Sequence, residues 1–364
     1  MNLQEIIARK IEDEDGISFH DFMEMCLYYP ELGYYTSSRN KIGSSGDFYT
    51  SACLTPVFGA MIGKQLEEMW LLLGSKSFTI VEYGAGEGSL CHDLLNYLQH
   101  NDKLYEQLNY CIIEKSAAMR NIEQSHLPNK VTWFNSIDEI HGITGCIISN
   151  ELLDNFAVHP VLMEDELFEA YVTYENGFKE TWKPAGQELK DYLLDLGMEL
   201  PKGFRTEINL QALEWIKAIA KSLTRGFVLT IDYGYLLSEL FKPGRSQGTL
   251  LGYCNHSVSD NLYDHVGQQD ITAHVNFSAL IHWAEKYGLR TCGYTDQCHF
   301  LLGLGFKKAL ADQFSTDKDV IHAAKQVSVI GHTLLFDMGL KYKVLIQEKG
   351  VGEVRLSGLS LQQQ

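Results

Sequence analysis

Short apolar runs alternate with amphipathic segments through the middle of the chain. The apolar runs are rich in β-branched residues, which predicts buried strands, whereas apolar residues spaced three and four apart predict helices. This alternation predicts an α/β fold with a doubly wound, mostly parallel sheet. The predicted strands are residues 79–83, 110–114, 131–134, 146–149, 226–232 and 342–347, and the predicted helices are residues 56–73, 90–99, 210–223, 277–287 and 307–326.

Regions outside the alternating pattern set the expected domain organisation. Residues 1–75 are mixed but mainly helical, and we expect them to pack on the core. The core itself is expected to span residues 76–350 because strand and helix signals continue to its end. Residues 351–364 are expected to form a frayed, Gln-rich tail.

Two insertions interrupt the predicted core. The first, at about residues 156–205, has short β-rich segments around a turn at Asn176 and Gly177, which predicts a β-hairpin. The second, residues 233–275, shows little periodicity, and a structureless segment of that length in a compact domain usually has a function. We expect both insertions to lie on the substrate side of the core.

Composition limits the class of protein. The 364 residues are 45% hydrophobic, and no apolar run is long enough for a transmembrane helix, so a soluble globular protein without membrane insertion is expected. A net charge of −17 argues against nucleic-acid binding, because affinity for phosphate requires clustered Lys and Arg. Basic protein partners fit this charge, although acidity for solubility explains it as well.

Targeting and metal-binding patterns are also informative. The first ten residues resemble neither a signal peptide nor a transit peptide, which predicts a cytoplasmic protein or, alternatively, a processed protein of the mitochondrial matrix. The eight cysteines include no C-x-x-C pair, and the thirteen histidines include no H-E-x-x-H motif. We therefore expect neither a metal site nor a disulfide framework.

The most specific signal is a glycine-rich junction between a predicted strand and the following helix. Gly84, Gly86 and Gly88 have the spacing G-x-G-x-G, and glycine allows the backbone to adopt positive φ and to approach a ligand closely. A dinucleotide fingerprint has the spacing G-x-G-x-x-G, but its third glycine would fall at Ser89. The spacing therefore disfavours a dinucleotide.

Acidic residues at this junction point to a different cofactor. Glu82 and Glu87 would repel phosphate groups at the following helix N-terminus. S-adenosylmethionine has no phosphate, and the Glu82 carboxylate can hold its ammonium group by charge-assisted hydrogen bonds. We therefore predict a site for S-adenosylmethionine, with a glycine-rich turn that binds no ligand as the alternative.

A second acidic residue is expected at the same edge of the sheet. Glu114 ends the predicted strand at residues 110–114, and a helical segment follows it. The tip of a second parallel strand is where ribose hydroxyls are held in open α/β sheets. Glu114 is therefore predicted to bind the cofactor ribose, and a solvated turn residue is the alternative.

The segment after the strand at residues 146–149 carries the predicted chemistry. Asn150, Glu151 and Asp154 should emerge at the same edge, and a helical turn there would place Glu151 and Asp154 on one face. Two carboxylates can grip a guanidinium group in bidentate fashion. Since the arginine pKa lies above about 12, its methylation needs acids that orient the group and accept its proton. An N-cap beside a solvated acid is the alternative.

Taken together, these motifs resemble those of the MidA-like family of S-adenosylmethionine-dependent methyltransferases. Mitochondrial members of that family are respiratory complex I assembly factors and protein arginine methyltransferases. The resemblance covers residues 18–350, and it is carried by residues 28–35, 46–51, 58–59, 82–90, 114, 150–154, 158–159, 232–234, 248–250, 253, 256 and 270–278.

This resemblance implies a Rossmann-like class I methyltransferase fold and assigns roles to individual residues. Glu82, Gly84, Gly86 and Glu114 match the family's cofactor motif, and Gly46, Asp47, Asn150, Glu151 and Asp154 match segments that line the shared cleft. Together with the reasoning from the residues, this predicts the cofactor-binding residues Glu82, Gly84, Gly86, Gly88, Glu114, Gly46 and Asp47 and the catalytic residues Asn150, Glu151 and Asp154. The sequence departs from the family pattern at Ala52–Cys53, Glu87 and Asn276, where the family often has Pro-Glu, Arg and Asp. These departures concern the substrate more than the fold.

The implied function is methyl transfer to an arginine of a protein partner, with a respiratory complex subunit as the implied substrate. We expect the partner to dock across residues 233–275 and the hairpin near Tyr171, where aromatic residues suit a protein interface. A lid that only covers the cofactor is the alternative for this region. For the whole chain, the alternative is an assembly or scaffolding protein that binds the cofactor without turnover.

Overall fold

The structure is a computed structural model that describes residues 1–37, 50–254, 257–315 and 317–361. Its helices are α1 Leu3–Glu14, α2 Phe19–Tyr28, α3 Ser51–Leu54, α4 Pro56–Leu72, α5 Ser89–Leu98, α6 Asp102–Gln107, α7 Ala117–His126, α8 Gln187–Asp195, α9 Leu210–Ser222, α10 Leu237–Leu240, α11 Phe277–Lys286, α12 Gln297–Gly303, α13 Phe306–Gln313 and α14 Val320–His332. Its strands are β1 Ile17–Ser18, β2 Phe78–Tyr83, β3 Leu108–Ile113, β4 Val131–Phe134, β5 Ile143–Asn150, β6 His159–Met163, β7 Leu167–Tyr174, β8 Phe178–Pro184, β9 Arg205–Ile208, β10 Leu223–Tyr235, β11 Leu251–Cys254, β12 Ser257–Ser259, β13 Asp270–Thr272, β14 Val275–Asn276, β15 Arg290–Asp296 and β16 Tyr342–Lys349.

The chain forms two compact units, each built from three separate stretches. Unit 1 comprises Met1–Phe48, Leu153–Ile216 and Gly234–Trp283, and unit 2 comprises Tyr49–Leu152, Lys217–Tyr233 and Ala284–Gln364. These boundaries differ from the linear ones expected near residues 75 and 350. The reason is pairing between distant segments, as when Ile17 of β1 pairs with Val172 of β7 inside unit 1.

Unit 2 contains the predicted doubly wound sheet, with the strand order β15-β16-β10-β5-β2-β3-β4. Neighbouring strands from β10 to β4 are parallel, while β16 is antiparallel to both β10 and β15. The predicted α/β fold with a mostly parallel sheet is thus confirmed. Because parallel strands end at the same edge, the residues that follow β2, β3, β5 and β10 lie along one edge of this sheet.

Helices α4 and α5 pack closely within unit 2 because α4 carries two glycines where they meet. A Cβ atom at Gly59 would lie 2.5 Å from the Cβ of Asp93, and one at Gly63 would lie 2.6 Å from the ring of Tyr97. Helix α4 begins at Pro56 after Thr55, whose hydroxyl accepts a hydrogen bond from the Val57 amide. These contacts place α5, which follows the glycine-rich junction, against the core of unit 2.

Unit 1 contains two smaller antiparallel sheets. One has the order β1-β7-β6-β9 with β8 beside β7, and the other has the order β12-β11-β13. The predicted hairpin is confirmed, since β7 pairs with β8 around a turn in which Asn176 and Gly177 have positive φ. The expectation of a structureless segment at residues 233–275 is wrong, because its strands are too short to show periodicity and form only by pairing with one another.

One predicted helix differs from its expected extent. The pattern at residues 307–326 predicted a single helix, but α13 ends at Gln313 and α14 begins at Val320. The carboxylate of Asp319 accepts hydrogen bonds from the backbone N–H groups of Ile321 and His322, which starts a new helix. Within the described part of the chain, no helix has the length and apolar character required to cross a membrane.

Candidate cofactor and acceptor site

The glycine-rich junction connects β2 to α5 through three residues in the left-handed region. Gly84, Gly86 and Gly88 have φ values of 63°, 60° and 79°. A side chain is disfavoured at each of these positions because L residues rarely adopt such φ values. A Cβ atom at Gly84 would also lie 2.9 Å from Cδ1 of Leu152. The junction therefore requires glycine for its conformation, as the spacing predicted.

Glu82 is a buried carboxylate on β2, with only 3% of its surface exposed. Its Oε2 atom accepts a hydrogen bond of 2.6 Å from the Tyr110 hydroxyl of β3. Burial raises the Glu82 pKa from its ordinary value of 4.5 to about 7, and the Tyr110 hydrogen bond opposes that rise. A cationic ligand would restore the charge of this carboxylate, so the environment of Glu82 fits the ammonium group of S-adenosylmethionine.

Glu114 directly follows β3 and lies beside the end of β4. Its backbone N–H donates to the Phe134 carbonyl at 3.2 Å, and its Oε1 atom accepts from the Ser116 N–H at 2.6 Å. Burial raises the Glu114 pKa, while the Ser116 hydrogen bond and the charge of Arg120 lower it. Because Ile113 pairs with Tyr83, Glu82 and Glu114 lie at the carboxyl ends of adjacent strands.

Glu151 follows β5, and hydrogen bonds from three residues hold its carboxylate. Oε1 accepts from the Ser51 N–H at 3.0 Å and from Nδ2 of Asn150 at 3.2 Å, and Oε2 accepts from the Tyr342 hydroxyl at 3.0 Å. Burial raises the Glu151 pKa to about 7, and all three hydrogen bonds oppose this rise. We call the Glu151 carboxylate, held by these three donors, the caged carboxylate.

The backbone at Glu151 corrects one expectation. A helical turn was expected to include Glu151, but this residue has a φ of 53°, and its N–H donates to the Ile231 carbonyl at 2.9 Å. The helical turn is a short 3₁₀ segment at Leu153–Asn155. Positive φ is incompatible with a right-handed helix, and the hydrogen bond to the Ile231 carbonyl ties the Glu151 backbone to β10. Glu151 and Asp154 therefore do not share a helical turn.

Asp232 is a fully buried residue of β10, three residues before the strand ends, that the site prediction missed. Its Oδ2 atom accepts from the Leu152 N–H at 3.1 Å, and its Oδ1 atom accepts from the Tyr233 N–H at 2.9 Å. It thereby fixes the backbone immediately after the caged carboxylate. An acid at the end of an apolar strand was visible in the sequence, but nothing local indicated its partner.

Ser51 and Tyr342 were missed as partners of the caged carboxylate for a similar reason. They lie 100 and 191 residues away from it along the chain. Ser51 belongs to a segment that carries the family resemblance, but the sequence does not show that its backbone N–H would bind Glu151. Tyr342 had no signal beyond its position at the start of a predicted strand.

Asp154 belongs to unit 1, where it is buried and its backbone carbonyl accepts from the Ala273 N–H at 2.9 Å. Gly46 and Asp47 lie outside the described residues. The structure thus brings Glu82, Glu114, Asn150 and Glu151 to one sheet edge in unit 2. Among the residues that the structure describes, no cluster of His, Cys, Asp and Glu could hold a metal ion.

Comparison with known proteins identifies the family. Residues 61–295 match the model of the family described as "Putative S-adenosyl-L-methionine-dependent methyltransferase". This chain belongs to that methyltransferase family. The MidA-like resemblance is thereby confirmed, and S-adenosylmethionine is the cofactor of this methyltransferase.

Individual relatives agree with this assignment. The chain is 28% identical to the Caenorhabditis elegans "Protein arginine methyltransferase NDUFAF7 homolog, mitochondrial", with 94% of this chain and 85% of the relative covered. It is 22% identical to the Homo sapiens "Protein arginine methyltransferase NDUFAF7, mitochondrial", with 90% and 78% covered.

A solved structure supports both the fold and the cofactor. A Burkholderia thailandensis protein crystallised with S-adenosyl-homocysteine is 27% identical and superposes on this methyltransferase with a TM-score of 0.88. The similarity covers 100% of this chain and 95% of the Burkholderia protein. S-adenosyl-homocysteine is the product that remains after methyl transfer from S-adenosylmethionine. The class I methyltransferase fold is therefore established for the chain.

Proposed function

We propose that this methyltransferase transfers a methyl group to an arginine nitrogen of a protein partner. The observation that carries the proposal is the caged carboxylate of Glu151, which lies at the same sheet edge as the glycine-rich junction. The names of the relatives from Caenorhabditis elegans and Homo sapiens, both protein arginine methyltransferases, point to the same acceptor.

The cofactor roles proposed for unit 2 follow the chemistry of its residues. Glu82 holds the ammonium group, because a cation stabilises the ionised form of this buried carboxylate. Glu114 holds the ribose hydroxyls at the end of β3, and the glycines at 84, 86 and 88 allow the cofactor to approach the backbone. The bound cofactor supplies an electrophilic methyl group on a sulfonium. Gly46 and Asp47 stay predicted cofactor contacts.

Glu151 is proposed to orient the acceptor and to receive its proton. As the nitrogen–carbon bond forms and the carbon–sulfur bond breaks, the guanidinium loses one proton, and a carboxylate with a pKa of about 7 can accept it. The donors from Ser51, Asn150 and Tyr342 fix the carboxylate before the acceptor arrives, which favours a near-attack geometry. The resulting products are S-adenosyl-homocysteine, methylarginine and a protonated Glu151.

Asn150 offers a further acceptor next to this carboxylate. Its Nδ2 atom donates to Glu151, while its Oδ1 atom is buried and has no hydrogen-bond partner among the described residues. A buried acceptor of this kind is costly unless a donor occupies it, and a guanidinium carries five N–H donors. Asp154 stays the predicted second carboxylate.

The variant Glu151→Gln tests the proposal because it keeps the shape of the side chain and removes its charge. Methyl transfer from labelled cofactor to protein should fall by about 10²-fold or more, and affinity for S-adenosyl-homocysteine should change little. Glu68→Gln is a matched control, since hydrogen bonds from Gln65 and Ser357 also hold the Glu68 carboxylate in unit 2.

The substrate side is tested with cells that lack this gene. Their extract, incubated with the pure enzyme and labelled cofactor, should show labelled arginine in at least one protein by mass spectrometry. Labelled protein without methylarginine would reject the acceptor assignment. No labelled protein at all would favour an assembly protein that binds the cofactor without turnover. Parental activity in Glu151→Gln would reject the role of the caged carboxylate.

We propose a partner and a compartment for this methyltransferase from the family resemblance and from the names of its relatives. A respiratory complex subunit is the partner class that the family resemblance implies. The relatives carry "mitochondrial" in their names, which supports the mitochondrial alternative over the cytoplasmic location expected from the first ten residues. Cell fractionation followed by immunoblotting decides between the two compartments.

A further inference from the structure

Arg120 connects the ends of two strands beside the proposed ribose site. It lies in α7, whose N-terminus is capped by the Ser116 hydroxyl through a hydrogen bond from the Met119 N–H. From this helix the Arg120 side chain reaches back to the segments that follow β3 and β4. None of the cofactor roles proposed above includes this residue.

A single nitrogen of Arg120 contacts three acceptors. Its Nη2 atom lies 2.6 Å from the carbonyl oxygen of Glu114, 3.2 Å from that of Phe134 and 2.9 Å from Oδ1 of Asn135. The same Phe134 carbonyl also accepts the Glu114 N–H. Because one guanidinium group bonds to residues at the ends of both strands, it holds these two segments at a set separation.

The position of Glu114 depends on these contacts. Its carbonyl bonds to Arg120 while its carboxylate accepts the Ser116 N–H, so both the backbone and the side chain are held. The positive charge of Arg120 also favours the ionised form of Glu114 against the effect of burial. An ionised, immobile carboxylate can accept hydrogen bonds from both hydroxyls of a ribose.

A second contact fastens the same helix to β4. Glu123 lies one turn after Arg120, and its Oε2 atom accepts a hydrogen bond of 2.6 Å from Nε1 of Trp133. This contact anchors α7 independently of Arg120. Replacement of Arg120 should therefore loosen the strand ends without releasing the helix.

We propose that Arg120 is a positioning residue for cofactor binding, which holds Glu114 so that its carboxylate meets the ribose hydroxyls. The inference rests on the proposed ribose role of Glu114. Lysine would not replace Arg120 fully, because an ammonium group lacks the planar fork and reach of a guanidinium. Loss of a preorganised contact of this kind typically lowers affinity by about 10–100-fold.

The test compares two ligands by calorimetry: S-adenosyl-homocysteine and its 2′,3′-dideoxyribose analogue, which lacks both hydroxyls proposed to bind Glu114. Arg120→Met should bind S-adenosyl-homocysteine about 10-fold more weakly than the parent, but the deoxy analogue about as well as the parent does. The affinity of Arg120→Lys for S-adenosyl-homocysteine should fall between those of the parent and Arg120→Met. The lysine variant replaces the methionine variant in the test if the latter does not fold. Arg290→Met is the control, since Arg290 pairs with Glu348 on other strands of the same sheet and should leave both affinities unchanged.

A double-mutant cycle separates the possible failures. Glu114→Gln alone should lose the preference for S-adenosyl-homocysteine over the deoxy analogue. Adding Arg120→Met to Glu114→Gln should lower the affinity little further, because both substitutions remove the same interaction with the ribose. If Glu114→Gln binds normally, the ribose role and the positioning role are both wrong. If Glu114→Gln loses the preference and Arg120→Met keeps it, only the positioning role is wrong. An equal loss for both ligands in Arg120→Met would also overturn it.

Discussion

Replacing Glu82 by Gln should stabilise the ligand-free protein and weaken cofactor binding. Burial raises the Glu82 pKa from 4.5 to about 7, so the folded protein holds this proton more tightly than the unfolded chain does. The ionised side chain therefore destabilises the fold. This cost is absent below pH 4.5, grows between pH 4.5 and about 7, and is complete above that range.

The size of the effect follows from the two pKa values. A difference of about 2.5 between them, at 1.36 kcal/mol for each pKa unit, corresponds to about 3 kcal/mol. Glutamine resembles the protonated carboxyl and can still accept the Tyr110 hydroxyl. Glu82→Gln should thus gain up to about 3 kcal/mol of stability at pH 8 and little near pH 4.5.

Binding should move in the opposite direction. The variant loses a charge-assisted hydrogen bond to the ligand ammonium, which contributes about 1.5–3 kcal/mol, or roughly 10- to 100-fold in affinity. In the parent, affinity for S-adenosyl-homocysteine should fall as pH drops from about 7.5 to 6, because the ligand must compete with a proton for Glu82. In Glu82→Gln this pH dependence should largely disappear.

Thermal and urea unfolding at several pH values, together with calorimetry of S-adenosyl-homocysteine, measure both effects. Glu207→Gln is the control, because burial also raises the pKa of this carboxyl, which lies in unit 1 and is not proposed to touch the cofactor. It should also stabilise the protein, with unchanged affinity. A Glu82→Gln variant that is less stable at pH 8 and binds the ligand normally would refute the reasoning.

Three further predictions concern the junction, the caged carboxylate and the proposed docking region. Gly86→Ala should abolish detectable cofactor binding, whereas Gly142→Ala, with a similar φ of 68° and open space around it, should not; equal affinities in calorimetry would remove the junction from the site. Tyr342→Phe removes a donor from the caged carboxylate and raises its pKa, so the rise of methyl-transfer rate with pH should move to higher pH; an unshifted pH–rate profile contradicts this. Val258→Asp, at a residue 58% exposed on β12, should raise KM for the protein acceptor, and Leu194→Asp, at a residue 77% exposed on α8, should not; equal KM values would argue for a lid.

Local patterns in the sequence determined the type of fold and part of the site. Apolar runs predicted every strand of the parallel part of the unit 2 sheet, because a strand buried on both faces needs apolar residues along its length. The glycine spacing predicted the β2–α5 junction, since its backbone adopts conformations that glycine alone tolerates well. Glu82, Glu114 and Glu151 could be placed at one edge because the ends of parallel strands meet there.

Only the tertiary structure decided which distant residues complete these groups. Ser51 and Tyr342 donate hydrogen bonds to the Glu151 carboxylate, and Asp232 accepts one from the neighbouring Leu152 N–H, yet each lies far from Glu151 in sequence. The strands of residues 233–275 and the division into two units likewise depend on pairings between separate stretches. Periodicity reports the environment along one segment, whereas such contacts are selected by the packing of the whole chain. The positive φ of Glu151 has the same origin, since pairing with β10 and not local preference holds it.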